Sequence, residues 1–286
     1  MAAPMSFAAA RAEMERRYGI LANHVPELID MRFGRRRAIQ LSLADEEYRE
    51  HRPALLDFCR RAGFELRSRK SRGARKMLLL REGKKRAFDV GNEEQMGRRF
   101  GYPTCCARNF LSLAQDPFIN EQDRRLVAIE ALPFELNPYL RTSPFHLFKH
   151  FPCRPDCAAS LRTARRLLAL VRAHQPRLAH DIERFNRWPA LVTGVCGLGF
   201  VFDGELLGER LRYREAVSSG EAESLLPLSR QNHPEDAAVF SRLAALLSSC
   251  DEVALDEQGL SGWRRGQPVG RVRRPAHLTW RWLRFA

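Results

Sequence analysis

Four cysteines of this chain fall into two pairs at the ends of short proline-bearing motifs. Cys105 and Cys106 close Gly101-Tyr102-Pro103-Thr104-Cys105-Cys106, and Cys153 and Cys157 lie in His150-Phe151-Pro152-Cys153-Arg154-Pro155-Asp156-Cys157. Thiolates are soft ligands, and four of them beside an imidazole suit zinc or an iron–sulfur cluster. Each pair follows a proline and leads into a helical pattern, and proline is suited to helix entry. A helix start offers unpaired N–H groups and the positive end of the dipole, which favour a thiolate over a thiol. Two such starts facing each other would hold a thiolate-ligated cation or an anionic cluster.

The two pairs differ in geometry. Cys153 and Cys157 are four apart, which puts both sulfurs on one face of a helix. They can also converge if Cys153 lies in the entry loop. Adjacent Cys105 and Cys106 diverge by about 100° on a helix, so one is expected to ligate while the other packs or reacts. The expected ligands are three or four of these thiolates, with His150 as a further ligand or an outer donor. An iron–sulfur cluster leads this reading. Three cysteines on a four-iron (4Fe-4S) cluster leave one iron open to a small-molecule or nucleotide substrate, for sulfur transfer or removal. Zinc closing the middle of the chain is the alternative, joined to nucleic-acid binding by the basic surface. A metal-free enzyme, with Cys105 or Cys106 as nucleophile and His150 as base, is the third. Asp156 is a candidate base or second-layer acceptor, although an acid at a helix start needs neither role. His146 reads more simply as a packed or solvated residue. There is no P-loop, H-E-x-x-H, G-x-S-x-G or ordered G-x-G-x-x-G.

The string GYPTCC with Phe110, then Asn137-Pro138, then HFPCRPDC with Ser160, resembles an uncharacterised microbial family, a domain of unknown function with GYPxCC and HxPCxxxC elements. The resemblance covers about residues 97–166. It implies that Cys105, Cys106, His150, Cys153 and Cys157 belong to one site, and it brings no activity with it.

The elements that must position these residues read as an α+β fold. The cysteine-bearing middle is helical, and it packs with small mixed or antiparallel β elements from the two ends. Residues 1–91 form an α+β segment, 92–188 the helical metal-site segment and 189–286 a segment of hairpin and helix, all three compatible with one compact domain. Acids at Asp45, Glu46 and Glu47 mark a helix start and Gly63 a stop. Strands are expected over 37–43, 65–71 and 76–90, the last as a hairpin about Gly83. Helices are expected over 6–22, 92–99, 105–115, 121–131, 158–173, 180–187 and 234–250. The aromatic and proline-rich stretch 132–152 reads as an irregular segment packed over something. Strands are expected over 190–195 and 198–202, with Asp203-Gly204 as the turn, and over 251–255 and 269–272.

The chain has 286 residues and a net charge of +14. Lysine stands only at positions 70, 76, 84, 85 and 149, so arginine carries the charge. A nucleic-acid partner would use it, but heavy Arg, Ala and Leu use is also what a GC-rich genome gives any protein. Arginine alternates with Trp280, Trp282 and Phe285 at the C-terminal end, a pattern for base stacking or for a strand with its aromatics turned inward. Seven cysteines without an export signal argue against a disulfide framework. Cys59, Cys196 and Cys250 are expected to pack in the core. No apolar run approaches the roughly 20 residues of a membrane helix. The first ten residues lack the basic start of a signal peptide, and a cytoplasmic location is the expectation.

Overall fold

A computed structural model describes residues 5–71, 74–81, 93–113, 129–195, 198–219 and 234–286. The chain is α+β, as its patterning predicts. It begins with α1 (Phe7–Tyr18), a 3-10 turn (Gly19–His24) and α2 (Val25–Phe33). Ser6 caps α1 through its hydroxyl, and the Glu215 carboxylate takes the Phe7 and Ala8 N–H groups at 2.8 and 3.1 Å. Then come β1 (Ala38–Ala44), α3 (Asp45–Ala62), β2 (Phe64–Ser71) and β3 (Ala74–Arg81). The acidic first turn of α3 and the left-handed Gly63 that stops it stand where the sequence puts them. These strands form an antiparallel sheet in the order β1-β3-β2. Tyr48, Leu55 and Cys59 of α3 close it over Leu41, Met77 and Leu79.

The middle holds α4 (Glu93–Arg99), α5 (Thr104–Leu113), a two-residue β4 (Ala131–Leu132), α6 (Ala158–His174) and α7 (Pro176–Asn186). Between β4 and α6 the chain makes 3-10 turns at Phe134–Leu136 and Pro138–Leu140. Phe134, Tyr139, Phe145 and Phe148 are buried there, which is the expected irregular packed segment. The rest is β5 (Ala190–Val195), β6 (Leu198–Leu207), β7 (Arg210–Ser218), α8 (Pro234–Ser249), β8 (Glu252–Asp256), β9 (Gly259–Arg264), β10 (Gln267–Arg273) and β11 (Arg281–Phe285).

The second sheet has the order β10-β9-β8-β7-β6-β5-β11-β4, antiparallel except between β11 and β4. The two ends of the chain therefore do not share one sheet. Side chains alternate faces along its strands. Ala190, Val192, Val201, Leu283 and Phe285 join a core with α1, α6 and α7, whereas Leu191, Phe200, Phe202 and Trp282 join one with α8. The first of these cores draws on all three sequence segments. Trp280, Trp282 and Phe285 are buried, as the inward-strand reading has it.

One expectation is corrected here. Asp203-Gly204 is not the hairpin turn: β6 runs through it to Leu207, with a register irregularity at that point. A Cβ on Gly204 would stand 2.2 Å from the Arg212 carbonyl, so the glycine serves a close strand approach, and the turn falls at Gly208 (φ 60°). β3 forms a hairpin with β2, Ser71 facing Ala74, and pairs with β1 on its other side. Residues 82–92, 114–128 and Cys196 lie outside the described residues, and with them the second hairpin arm and most of the helix expected over 121–131. Helix α2, which no pattern announced, is considered below.

Candidate metal centre

The motif around Gly101 punctuates two helices. Gly101 takes the left-handed conformation (φ 76°) at the end of α4, and the Tyr102 N–H reaches back to the Gly97 carbonyl at 2.9 Å. This is the usual glycine stop of a helix. Pro103 then opens α5, accepting from the Cys106 and Ala107 N–H groups at 3.0 Å each. Cys105 and Cys106 therefore sit in the first turn of α5. The second motif works similarly. Residues 154–157 close a turn through the Cys157 N–H and the Arg154 carbonyl, and Cys157 stands as the residue before α6, its carbonyl accepting the first helical bond from Leu161 at 2.9 Å. Cys153 lies in the entry turn and not on the helix.

All four sulfurs converge. The ligand atoms of Cys105, Cys106, Cys153 and Cys157 lie within 4.8 Å of one another. Sγ–Sγ separations are 3.8 Å for Cys105–Cys106 and Cys105–Cys157, 3.7 Å for Cys106–Cys157 and 3.6 Å for Cys153–Cys157. Four cysteines this close can hold a metal ion. The expected divergence of Cys105 from Cys106 is overcome locally. Their Cα atoms are only about 3.8 Å apart, so rotation about χ1 brings both sulfurs to the point where Cys153 and Cys157 arrive.

His150 stands one layer out. Its Nε2 is 2.7 Å from Ser160 Oγ, which is 3.2 Å from Cys106 Sγ. Burial, reinforced by the charges of Arg36 and Arg141, pushes the imidazole down to about 3, so it is neutral. With the proton on Nε2, His150 donates to Ser160, and the Ser160 hydroxyl donates to the sulfur. Tyr102 and Phe148 pack on the ring, with centroids 5.1 and 5.6 Å away. Asp156 takes no place among the sulfurs: its carboxylate is exposed and pairs with Arg154 Nε at 3.1 Å. His146 is buried elsewhere, its Nε2 3.1 Å from Glu27 Oε2 and its Nδ1 2.7 Å from the Ser143 carbonyl.

The thiols are not equivalent. Burial pushes Cys106 up, and burial with neighbouring thiols pushes Cys153 up to about 11. Burial also opposes charge on Cys157, but the Ser160 hydroxyl and N–H, with the Cys153 and Cys106 thiols, bring it down to about 6. One thiolate thus forms readily. A second beside it would meet like charge at under 4 Å, a cost that a cation between them removes.

Behind the cysteines lies a buried charged layer that sequence reading missed. Glu27 of α2 faces His146 at 3.1 Å, His24 at 3.5 Å, Lys149 at 3.6 Å and Arg36 at 4.0 Å. Asp30, one turn on, receives both guanidinium ends of Arg166 from α6 at 2.7 and 3.0 Å, and the Arg35 N–H at 3.1 Å. Arg36 Nε is 3.7 Å from Asp30 Oδ2. This layer fixes α2, the segment before the second motif and α6 in one arrangement. Arg36 and Arg141 also place buried positive charge near a centre that four thiolates and a divalent ion would leave at −2.

No family model, curated protein or solved structure matches the chain.

Ser160 both touches the ligand set and is linked to His150. Ser160→Ala is expected to lower metal affinity about 10- to 100-fold while leaving the fold intact, as measured by competition with a chromophoric chelator. An unchanged affinity would remove Ser160 from the centre.

Proposed function

We propose that Cys105, Cys106, Cys153 and Cys157 hold a single tetrahedral metal ion, zinc in the resting protein, and that this ion fastens α5 to the 153–157 turn and α6. The sulfur spacing carries this reading. A zinc–sulfur bond of about 2.3 Å gives a tetrahedral edge of about 3.8 Å, against 3.6–3.8 Å for four of the six sulfur pairs here and no more than 4.8 Å for the other two. A four-iron cluster places each cysteine on a separate iron, holding the sulfurs roughly 6 Å apart. The iron–sulfur enzyme expected from the cysteine motifs is thus less well supported than one ion. The charge of +14 supports a polyanionic partner, although the buried C-terminal indoles do not offer their faces for stacking.

No helix among the described residues is long and apolar enough to cross a membrane. The test is metal and acid-labile sulfide quantification on protein purified without oxygen. One zinc per chain without sulfide is expected. Iron with stoichiometric sulfide would return the cluster reading, and neither metal on well-folded protein would end both.

A further inference from the structure

The four thiolates differ in what they offer to solvent. Cys106 and Cys157 are buried, 1% and 3% exposed, Cys153 is half-buried and Cys105 is exposed. They differ also in hydrogen bonding. Cys106 Sγ receives the Ser160 hydroxyl at 3.2 Å and the Cys153 N–H at 3.3 Å, and Cys157 Sγ is enclosed by the other three sulfurs at 3.6–3.8 Å. Each such donor withdraws charge from sulfur and blocks one of its lone pairs. Among the described residues, the polar contacts of Cys105 Sγ are the sulfurs around it. Coordination keeps a thiol deprotonated at neutral pH and is a recognised way of activating a nucleophile. A divalent ion with four thiolates leaves a net charge of −2, which makes the sulfurs electron-rich. The nucleophilic lone pair that solvent can reach is therefore on Cys105.

We propose that metal-bound Cys105 is an alkyl acceptor: its sulfur attacks the unhindered carbon of a small alkyl donor, a methyl or comparable group on a good leaving group. A new S–C bond forms as the bond from carbon to the leaving group breaks, and the leaving group departs with that bonding pair. No electron is gained or lost overall and no proton moves. Cys105 becomes a thioether, a neutral and weaker ligand, and the charge of the centre falls from −2 to −1. The acceptor is used once for each transfer, so the consequence is a change in the metal centre at α5 and not a turnover. This proposal rests on the metal reading above.

The experiment uses the full chain with its metal content measured in each sample. Zinc-loaded and chelator-stripped protein are treated with a small excess of iodomethane at pH 6.5, where an ordinary thiol is only about 1% thiolate. Methylated peptides are then mapped over time by mass spectrometry. In the zinc-loaded protein Cys105 is expected to be methylated first, at least about 10-fold faster than any other cysteine and at least about 10-fold faster than in the stripped protein.

Preferential methylation of Cys106, Cys153 or Cys157 in protein carrying one zinc would overturn the alkyl-acceptor role and leave the metal reading standing. So would Cys105 reacting no faster with zinc than without it, since exposure alone would then explain the labelling. Protein that takes up no metal at all would bring down both.

Discussion

Cys157→Ser is expected to strip the metal from the protein and to lower its stability by several kcal/mol. The sulfur of Cys157 is within 3.8 Å of all three others and belongs to the residue that opens α6. Serine is a poor ligand for a soft site and is not deprotonated at neutral pH. Structural zinc in small domains has an apparent binding free energy of about 10–16 kcal/mol at neutral pH, and that energy counts toward folding. Losing the ion would also leave the buried Cys106 thiol against that of Cys105 at 3.8 Å with no cation between them. The melting temperature should fall by about 10 °C or more, and zinc content should fall from one per chain to a trace. Serine at the exposed Cys105 should cost less, because its hydroxyl remains solvated when the ion leaves. A Cys157→Ser protein that kept its zinc and its melting temperature would show that the ion, if bound, is held elsewhere.

Asp30→Asn is expected to cost about 3–5 kcal/mol, the usual cost of removing one partner from a buried ion pair. Asp30 is 1% exposed, and its carboxylate answers both arms of Arg166 together with Arg36 and the Arg35 N–H. Asparagine keeps the volume, leaves Arg166 without its counter-charge and leaves Arg36 with Glu27 at 4.0 Å as its nearer acid. Urea unfolding followed by circular dichroism measures the difference.

Its pH dependence has a defined sign. Burial opposes the charge on Asp30, but Arg166 and Arg36 prevail and hold its carboxyl below the usual range. A depressed acid contributes stability that is present above its unfolded value and lost as pH falls through the folded one. The gap between wild type and Asp30→Asn should therefore narrow below about pH 4. Glu27 is held well below its usual value by Lys149 and His146 despite burial, so its contribution is lost in the same direction. His24 and His146 are held down chiefly by burial. The folded protein resists protonating them while the unfolded chain does not, so wild-type stability should begin to fall below about pH 6.5. A stability flat from pH 7 to pH 4 would contradict the buried placement of these groups.

Much of the site is legible in the sequence because helix entry is a local matter. Gly101 followed by Pro103, and Pro155 followed by Cys157, punctuate the chain within a few residues of the ligands. What local pattern does not carry is the place to which the sulfurs go. The spacing of Cys105 and Cys106 on α5 suggests divergence, and only sulfurs some 50 residues further along define the point where they meet. The same limit hides α2. Glu27 and Asp30 look like surface acids until His146, Lys149 and Arg166 arrive from more than 100 residues away to pair with them. The β6–β7 turn is a third instance. Asp203-Gly204 and Gly208-Glu209 both carry a glycine turn signal, and the register against β7 decides between them.

X-ray absorption at the metal edge of the purified protein tests the central claim most directly. Four sulfur neighbours at about 2.3 Å, with no metal–metal scattering, are the predicted result. A metal–metal vector of the kind an iron–sulfur cluster gives, or a first shell with nitrogen or oxygen in place of two or more sulfurs, would contradict the single tetrathiolate ion.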